Sequence, residues 1–139
     1  MKVINAIIID DEMNSINNLA TAIKEYASSI NIIGTSQTIV DGVKLWRDRK
    51  PDLIFLDIEM HGGTGFDLYE IAEGLGGNVV FYTAHKKCAI KALKMGALDY
   101  LLKPLDIDEL LSLETRIMEQ VPGQDEVVKI DGDKISFPI

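Results

Sequence analysis

The chain has 139 residues, enough for one domain with a substantial core and too few for a second full domain. Twenty-two acidic residues against fourteen basic ones give a formal charge of −8, which argues against a broad phosphate-neutralising surface for nucleic acid and makes a small cation the more natural ligand. With 47% apolar but only 6% aromatic residues, the core should be aliphatic, a profile that suits an α/β protein.

Five short apolar runs alternate with helical patterns. The first, "VINAIIID" (3–10), leads into Ile16, Leu19, Ala20, Ile23 and Ala27 at helical spacing, a helix that Asn14 or Ser15 would cap. After "NIIGTSQ" (31–37), Ile39, Val43 and Trp46 mark a helix over 38–49 that stops before Pro51. After "DLIFLD" (52–57), residues 65–75 bring Leu68, Ile71, Ala72 and Leu75 to one side. "NVVFYT" (78–83) precedes "KKCAIKALKMG" (86–96), whose weak stripe predicts a short or labile helix. Finally "LDYLLK" (98–103) precedes a helix over 106–121 with Leu110, Leu113, Ile117 and Val121 on one face. Strict strand–helix alternation with continuous apolar strands implies right-handed βαβ units and a doubly wound parallel sheet. Beyond "VPGQDE" (121–126), "VVKIDGDKISFPI" reads as two strands around an Asp131-Gly132 turn. A lone hairpin is marginal in water, so it looks like the opening of a further unit.

The single cysteine, Cys88, has no internal partner, and the N-terminal stretch lacks the pattern of a signal peptide. No apolar run approaches membrane-spanning length. These features predict a cytoplasmic protein. Trp46, Met95 and Cys88 are read as packing or surface residues.

In an open parallel sheet, ligands gather outside the carboxyl ends of the strands. Four of the five runs end in reactive groups: Asp10-Asp11, Asp57, Thr83, and Lys103 before Pro104. Each alone is an ordinary strand-end or cap residue, but together they deliver three carboxylates, a hydroxyl and an ammonium to one edge. Carboxylates from two strands make a hard oxygen site suited to Mg²⁺, and no Cys or His cluster has zinc spacing. With Lys103 and Thr83 opposite, the set points to phosphoryl chemistry, the carboxylate nearest the metal serving as nucleophile.

Five separated parts, the pair in "IIIDDE", "PDLIFLDIEM" around Asp57, "GGTGFDL", "VVFYTA" and "GALDYLLKP", resemble the receiver domain of two-component response regulators, the fold of CheY. The resemblance covers residues 3 to about 120 and implies a five-stranded sheet of order 2-1-3-4-5 with helices on both faces. It also implies that Asp57 is the phosphoacceptor, served by a sensor histidine kinase or a small donor such as acetyl phosphate. Asp10, Asp11, Asp57 and the backbone carbonyl of Glu59 would hold Mg²⁺, Lys103 would pair with the phosphoryl oxygens, and the Lys103–Pro104 bond would be cis. Thr83 and Tyr100 would form the switch. The face of the fourth helix, fifth strand and fifth helix would favour a homodimer.

The segment "FYTAHKKCAIKALKMGALDYLLKPLDIDEL" and the final "VVKIDGDKISFPI" resemble regulators with a LytTR DNA-binding domain. That resemblance implies a receiver over 1–121, then a linker and the truncated start of the output domain over 122–139. DNA contact would belong to the missing part. His61 stands where most receivers have proline, while Glu59 and His85 hold positions that tune autodephosphorylation. Two other readings compete: a Mg²⁺-dependent phosphohydrolase using Asp57, which lacks an Asp-x-Asp pair because residue 59 is Glu, and a receiver-like protein that interacts without phosphoryl transfer.

Overall fold

The computed structural model describes residues 2–130 and 133–137, with side-chain surroundings given through residue 124. The elements run β1 (Lys2–Ile9), α1 (Met13–Tyr26), β2 (Ile30–Ser36), α2 (Ile39–Arg49), β3 (Leu53–Leu56), α3 (Gly65–Ala72), β4 (Asn78–Thr83), α4 (Lys86–Lys94), β5 (Asp99–Leu102) and α5 (Ile107–Gln120). All pairings among these five strands are parallel, in the order β2-β1-β3-β4-β5. This is the doubly wound arrangement expected from the alternation of runs.

Because successive strand residues point to opposite faces, β1 feeds two cores. Ile4, Ala6 and Ile8 pack with Ile16, Leu19 and Ile23 of α1 and Leu110, Leu113 and Ile117 of α5. Ile7 and Ile9 pack on the other face with Trp46 of α2, Leu68 and Ala72 of α3, and Ala92 of α4. β3 is buried along its whole length, as a central strand covered on both sides should be.

The helix boundaries follow local chemistry. Thr38 caps α2 by accepting the Asp41 N–H, and Lys50 ends it in the left-handed region at φ 46°. Thr64 and Asp67 form a reciprocal capping box on α3. α1 corrects an expectation, since neither Asn14 nor Ser15 caps it; Glu12 is the N-cap residue and makes no side-chain cap. The helix begins immediately after the acidic pair, which leaves both candidates inside its first turn.

Two stripes are also corrected. In α3 the buried residues are Gly65, Phe66, Leu68, Tyr69 and Ala72, whereas Ile71 is 65% and Leu75, beyond its end, 42% exposed. The α-helix stops at Ala72 and tightens into a 3₁₀ turn over Glu73–Leu75, so Leu75 leaves the expected face. In α4 the buried pair is Ala89 and Ala92, three residues apart, with Ile90 and Leu93 turned outward. The large residues lie off the packing face, which is why the stripe reads weakly.

Trp46 is fully buried, and its indole N–H donates to the Gly76 carbonyl at 2.8 Å. That bond joins the end of α2 to the turn before β4, at the amino-terminal edge of the sheet. After α5 the chain enters β6 (Gln124–Ile130), which pairs antiparallel with β7 (Asp133–Phe137) and, through Lys2↔Asp125 and Val3↔Gln124, with the start of β1. Both expected strands are therefore present, and the Asp131-Gly132 turn lies outside the described residues. Gly123 permits the approach, for a Cβ there would stand 2.5 Å from the Val3 carbonyl oxygen.

Candidate functional site

The carboxyl ends of β1, β3, β4 and β5 bring Asp10, Asp57, Thr83 and Lys103 to one edge. Asp10 is fully buried and held by three bonds. Its N–H donates to the Ser36 carbonyl at 3.0 Å, its Oδ1 accepts the Glu12 N–H at 2.9 Å, and its Oδ2 accepts from Lys103 Nζ at 2.8 Å. β2, the one run without a reactive end group, thus still serves the site through a backbone carbonyl.

Asp57 is 5% exposed. Its N–H donates to Ile9 O at 2.9 Å, and its Oδ2 lies 3.6 Å from Lys103 Nζ. Burial pushes its carboxyl up to about 7, the negative charge of Asp10 pushes the same way, and Lys103 opposes both. The Glu59 backbone lies near enough to the Asp57 carboxyl to oppose its upward push, while the Glu59 side chain turns away to His85, Oε1 to Nε2 at 2.7 Å. Asp11 is half-buried, and its Oδ2 accepts from His61 Nδ1 at 2.8 Å.

Lys103 is fixed along its length. Its N–H donates to the Thr83 carbonyl at 2.8 Å, and its peptide bond to Pro104 is cis. Its Nζ stands 5.0 Å from the centroid of the Tyr82 ring, a cation–π contact that the sequence reading missed. Tyr82 is 3% exposed, and burial, with Asp10 and Asp57 nearby, pushes its phenol up to about 12. The available signal was an aromatic with a polar tip at the penultimate residue of a strand that ends in the site.

Thr83 is fully buried and its Oγ1 accepts the His85 N–H at 3.1 Å. Tyr100 is half-buried and lines a groove of about 620 Å³ with Lys86, Asp99, Glu109 and Arg116. Arg116 pairs with Asp99 across that groove. Thr83 ends β4, whereas Tyr100 is the second residue of β5, opposite Phe81, and neither makes a hydrogen bond to Asp57 among the described residues.

One carboxylate oxygen each from Asp10, Asp11 and Asp57 fall within 4.8 Å of one another. Three hard oxygen donors face a single ammonium, and after burial, the larger cause, the charge of Asp10 adds to the upward push on Asp57. A divalent cation that prefers oxygen ligands fits such a set. Among the described residues no helix is long and apolar enough to cross a membrane.

Comparison with known proteins agrees with this geometry. The family model described as response regulator receiver domain matches residues 6–114. An uncharacterized response regulatory protein of Vibrio cholerae is 35% identical over 118 residues, covering 84% of this chain and 49% of that protein. The sensory transduction protein LytT of Bacillus subtilis is 34% identical over 109 residues, covering 77% and 45%. The chain thus spans about half the length of the curated relatives it matches. Among solved structures, the response regulatory domain of protein mrkE from Klebsiella pneumoniae superposes with a TM-score of 0.74 at 28% identity, covering 83% of this chain and 95% of that one. The fold, the acidic edge and the match over most of its length make this chain a member of the response regulator receiver domain family.

Proposed function

We propose that Asp57 accepts a phosphoryl group from a phosphohistidine of a sensor histidine kinase, or from acetyl phosphate, in the cytoplasm. The observation that carries this reading is a nearly buried carboxylate flanked by one ammonium and two further carboxylates at one edge of the sheet. The side chains of Asp10, Asp11 and Asp57 and the backbone carbonyl of Glu59 would hold Mg²⁺. When bound, the ion supplies positive charge that favours ionised carboxylates and offsets charge on the transferring oxygens.

In the transfer, an Asp57 oxygen forms the bond to phosphorus as the phosphorus–nitrogen bond to the donor imidazole breaks, the electron pair leaving with the imidazole. Lys103, between Asp10 and Asp57, offsets their negative charge and turns toward a phosphoryl oxygen. The burial of Asp57 limits water access, while Glu59, His61 and His85 at the rim govern the return hydrolysis. Thr83 and Tyr100 act as the switch: Thr83 gives up its bond to the His85 N–H and reaches the phosphoryl group, and Tyr100 turns inward. The altered face of α4, β5 and α5 then favours a homodimer.

The likeness to proteins named LytT supports a longer parent in which residues 1–121 are the receiver and 122–139 the linker and start of a LytTR-like DNA-binding domain. DNA contact and transcriptional control would belong to that output domain. The phosphohydrolase alternative is disfavoured because the acid two residues after Asp57, Glu59, is turned to His85. Incubation with Mg²⁺ and acetyl phosphate should add one acid-stable, base-labile phosphoryl group by intact mass, absent in Asp57→Asn. If neither that mass nor a beryllofluoride-induced amide shift near Asp57 appears, the reading is wrong.

A further inference from the structure

We propose that the chain after α5 is no free tether: the amino-terminal edge of the sheet is its docking surface, Asp52 is the clamp, and β1 sets the direction in which β6 leaves. A unit attached beyond β6 is thereby carried at a fixed angle to the acidic edge.

Contacts follow one another from the end of α5 into β6. Val121 is 1% exposed and packs into the core that α1 and α5 share. It is extended, as a residue before proline tends to be. Gly123 lies so close to the Val3 carbonyl that a side chain would collide with it. Gln124 and Asp125 then pair with Val3 and Lys2, and the Lys2 ammonium donates to the Met118 carbonyl in the last turn of α5 at 2.8 Å.

Asp52 joins this segment to the sheet. Its N–H donates to the Asn5 carbonyl at 2.8 Å and its carbonyl accepts the Asn78 N–H at 3.0 Å, so β1 and β4 hold its backbone. The carboxylate is aimed as a result: Oδ2 accepts the Asn5 N–H at 2.9 Å, and Oδ1 accepts from Gln124 Nε2 at 3.0 Å. A carboxylate can only accept, and here one oxygen takes a donor from β1 and the other a donor from β6. Backbone groups two residues apart on a strand point to the same side, so Val3 meets β6 on the side where Asn5 meets Asp52. β2 takes the other side, where the Ile4 N–H donates to the Ser29 carbonyl at 2.8 Å. β6 therefore occupies the place beside β1 that β3 holds from Leu53 onward, and Asp52 bridges the joint. Two paired residues make a ladder that frays by itself; the bridge from Asp52 is what holds it.

Nitrogen-15 relaxation and hydrogen exchange of the full chain test this. Gln124 and Asp125 should show order parameters of about 0.85, as in α5, whereas a free tether falls below about 0.6. Gln124→Ala removes one hydrogen bond to a charged group and should speed exchange of the amides protected by the Lys2–Asp125 and Val3–Gln124 pairing by about tenfold. Exchange in α5 should not change. Asp52→Ala should loosen the segment at least as much, and the double variant should add little to Asp52→Ala, since both remove the same bridge. Gly123→Ala, which drives a Cβ into the Val3 carbonyl, should free the segment with Asp52 intact. If wild-type Gln124 and Asp125 move like a tether, the segment is not docked. If Gln124→Ala exchanges like the wild type, or the two single effects simply add, Asp52 is not the clamp.

Discussion

Lys103 meets two carboxylates with one charge, at 2.8 Å from Asp10 and 3.6 Å from Asp57, and this imbalance governs what single substitutions do. The Asp57 carboxyl is raised from 3.8 to about 7 in the folded chain. Below pH 4 it is protonated whether folded or unfolded. As pH rises through 7 the folded domain has to ionise a group that burial disfavours, so the stability this carboxyl contributes at low pH is lost across that window. Asp57→Asn should therefore exceed the wild type in metal-free unfolding free energy by an amount that grows from pH 4 to pH 7 and reaches at most about 4 kcal/mol. Urea denaturation of both proteins at several pH values reads this directly, and a pH-independent difference would contradict it. Lys103→Met should act the other way, costing about 3 kcal/mol at neutral pH by stranding the buried Asp10 charge. Added Mg²⁺ should return part of that loss.

At the scale of elements, the loop from β3 to α3 is held by close backbone contact. A Cβ on Gly65 would stand 2.0 Å from the Asp57 carbonyl oxygen, and the Gly65 N–H donates to Ile58 O at 2.7 Å. Gly65→Ala should push α3 away from the site and cost about 3 kcal/mol, with phosphoryl uptake impaired as well. Thr64→Ala, which removes only the capping box, should cost about 1 kcal/mol and leave uptake near wild type; calorimetry and a phosphorylation time course separate the two. The strand ends were legible in the sequence because an apolar run that stops at Asp57 or Lys103 fixes both the element and the position of its last side chain. The outward turn of Ile71, Leu75, Ile90 and Leu93 was not, since it depends on where α3 tightens and on small alanines setting the packed face of α4. The pairings His61–Asp11 and His85–Glu59 were likewise hidden, because they join residues of separate loops whose approach the sheet decides. Tyr82 escaped notice for a related reason: it reads as core, and it is core, with the ammonium resting on its face.

On the scale of the whole molecule, β1 ties both ends of the chain to the site, with Asp10 and Asp11 at one tip and the pairing to β6 at the other. An ion or phosphoryl analogue that binds only the folded chain should raise global stability by mass action, about 2.7 kcal/mol at a hundred times its Kd. Sedimentation with and without beryllofluoride checks the proposed assembly; an unchanged apparent mass would mean that this segment does not signal by dimerising. The molecule also carries its own optical probe. The lone Trp46 is sealed in the core and bonded to Gly76 at the sheet edge opposite the acids. Its fluorescence should stay constant while Mg²⁺ or beryllofluoride fills the site and change only when the domain melts, so one emission band records unfolding without interference from ligand titration.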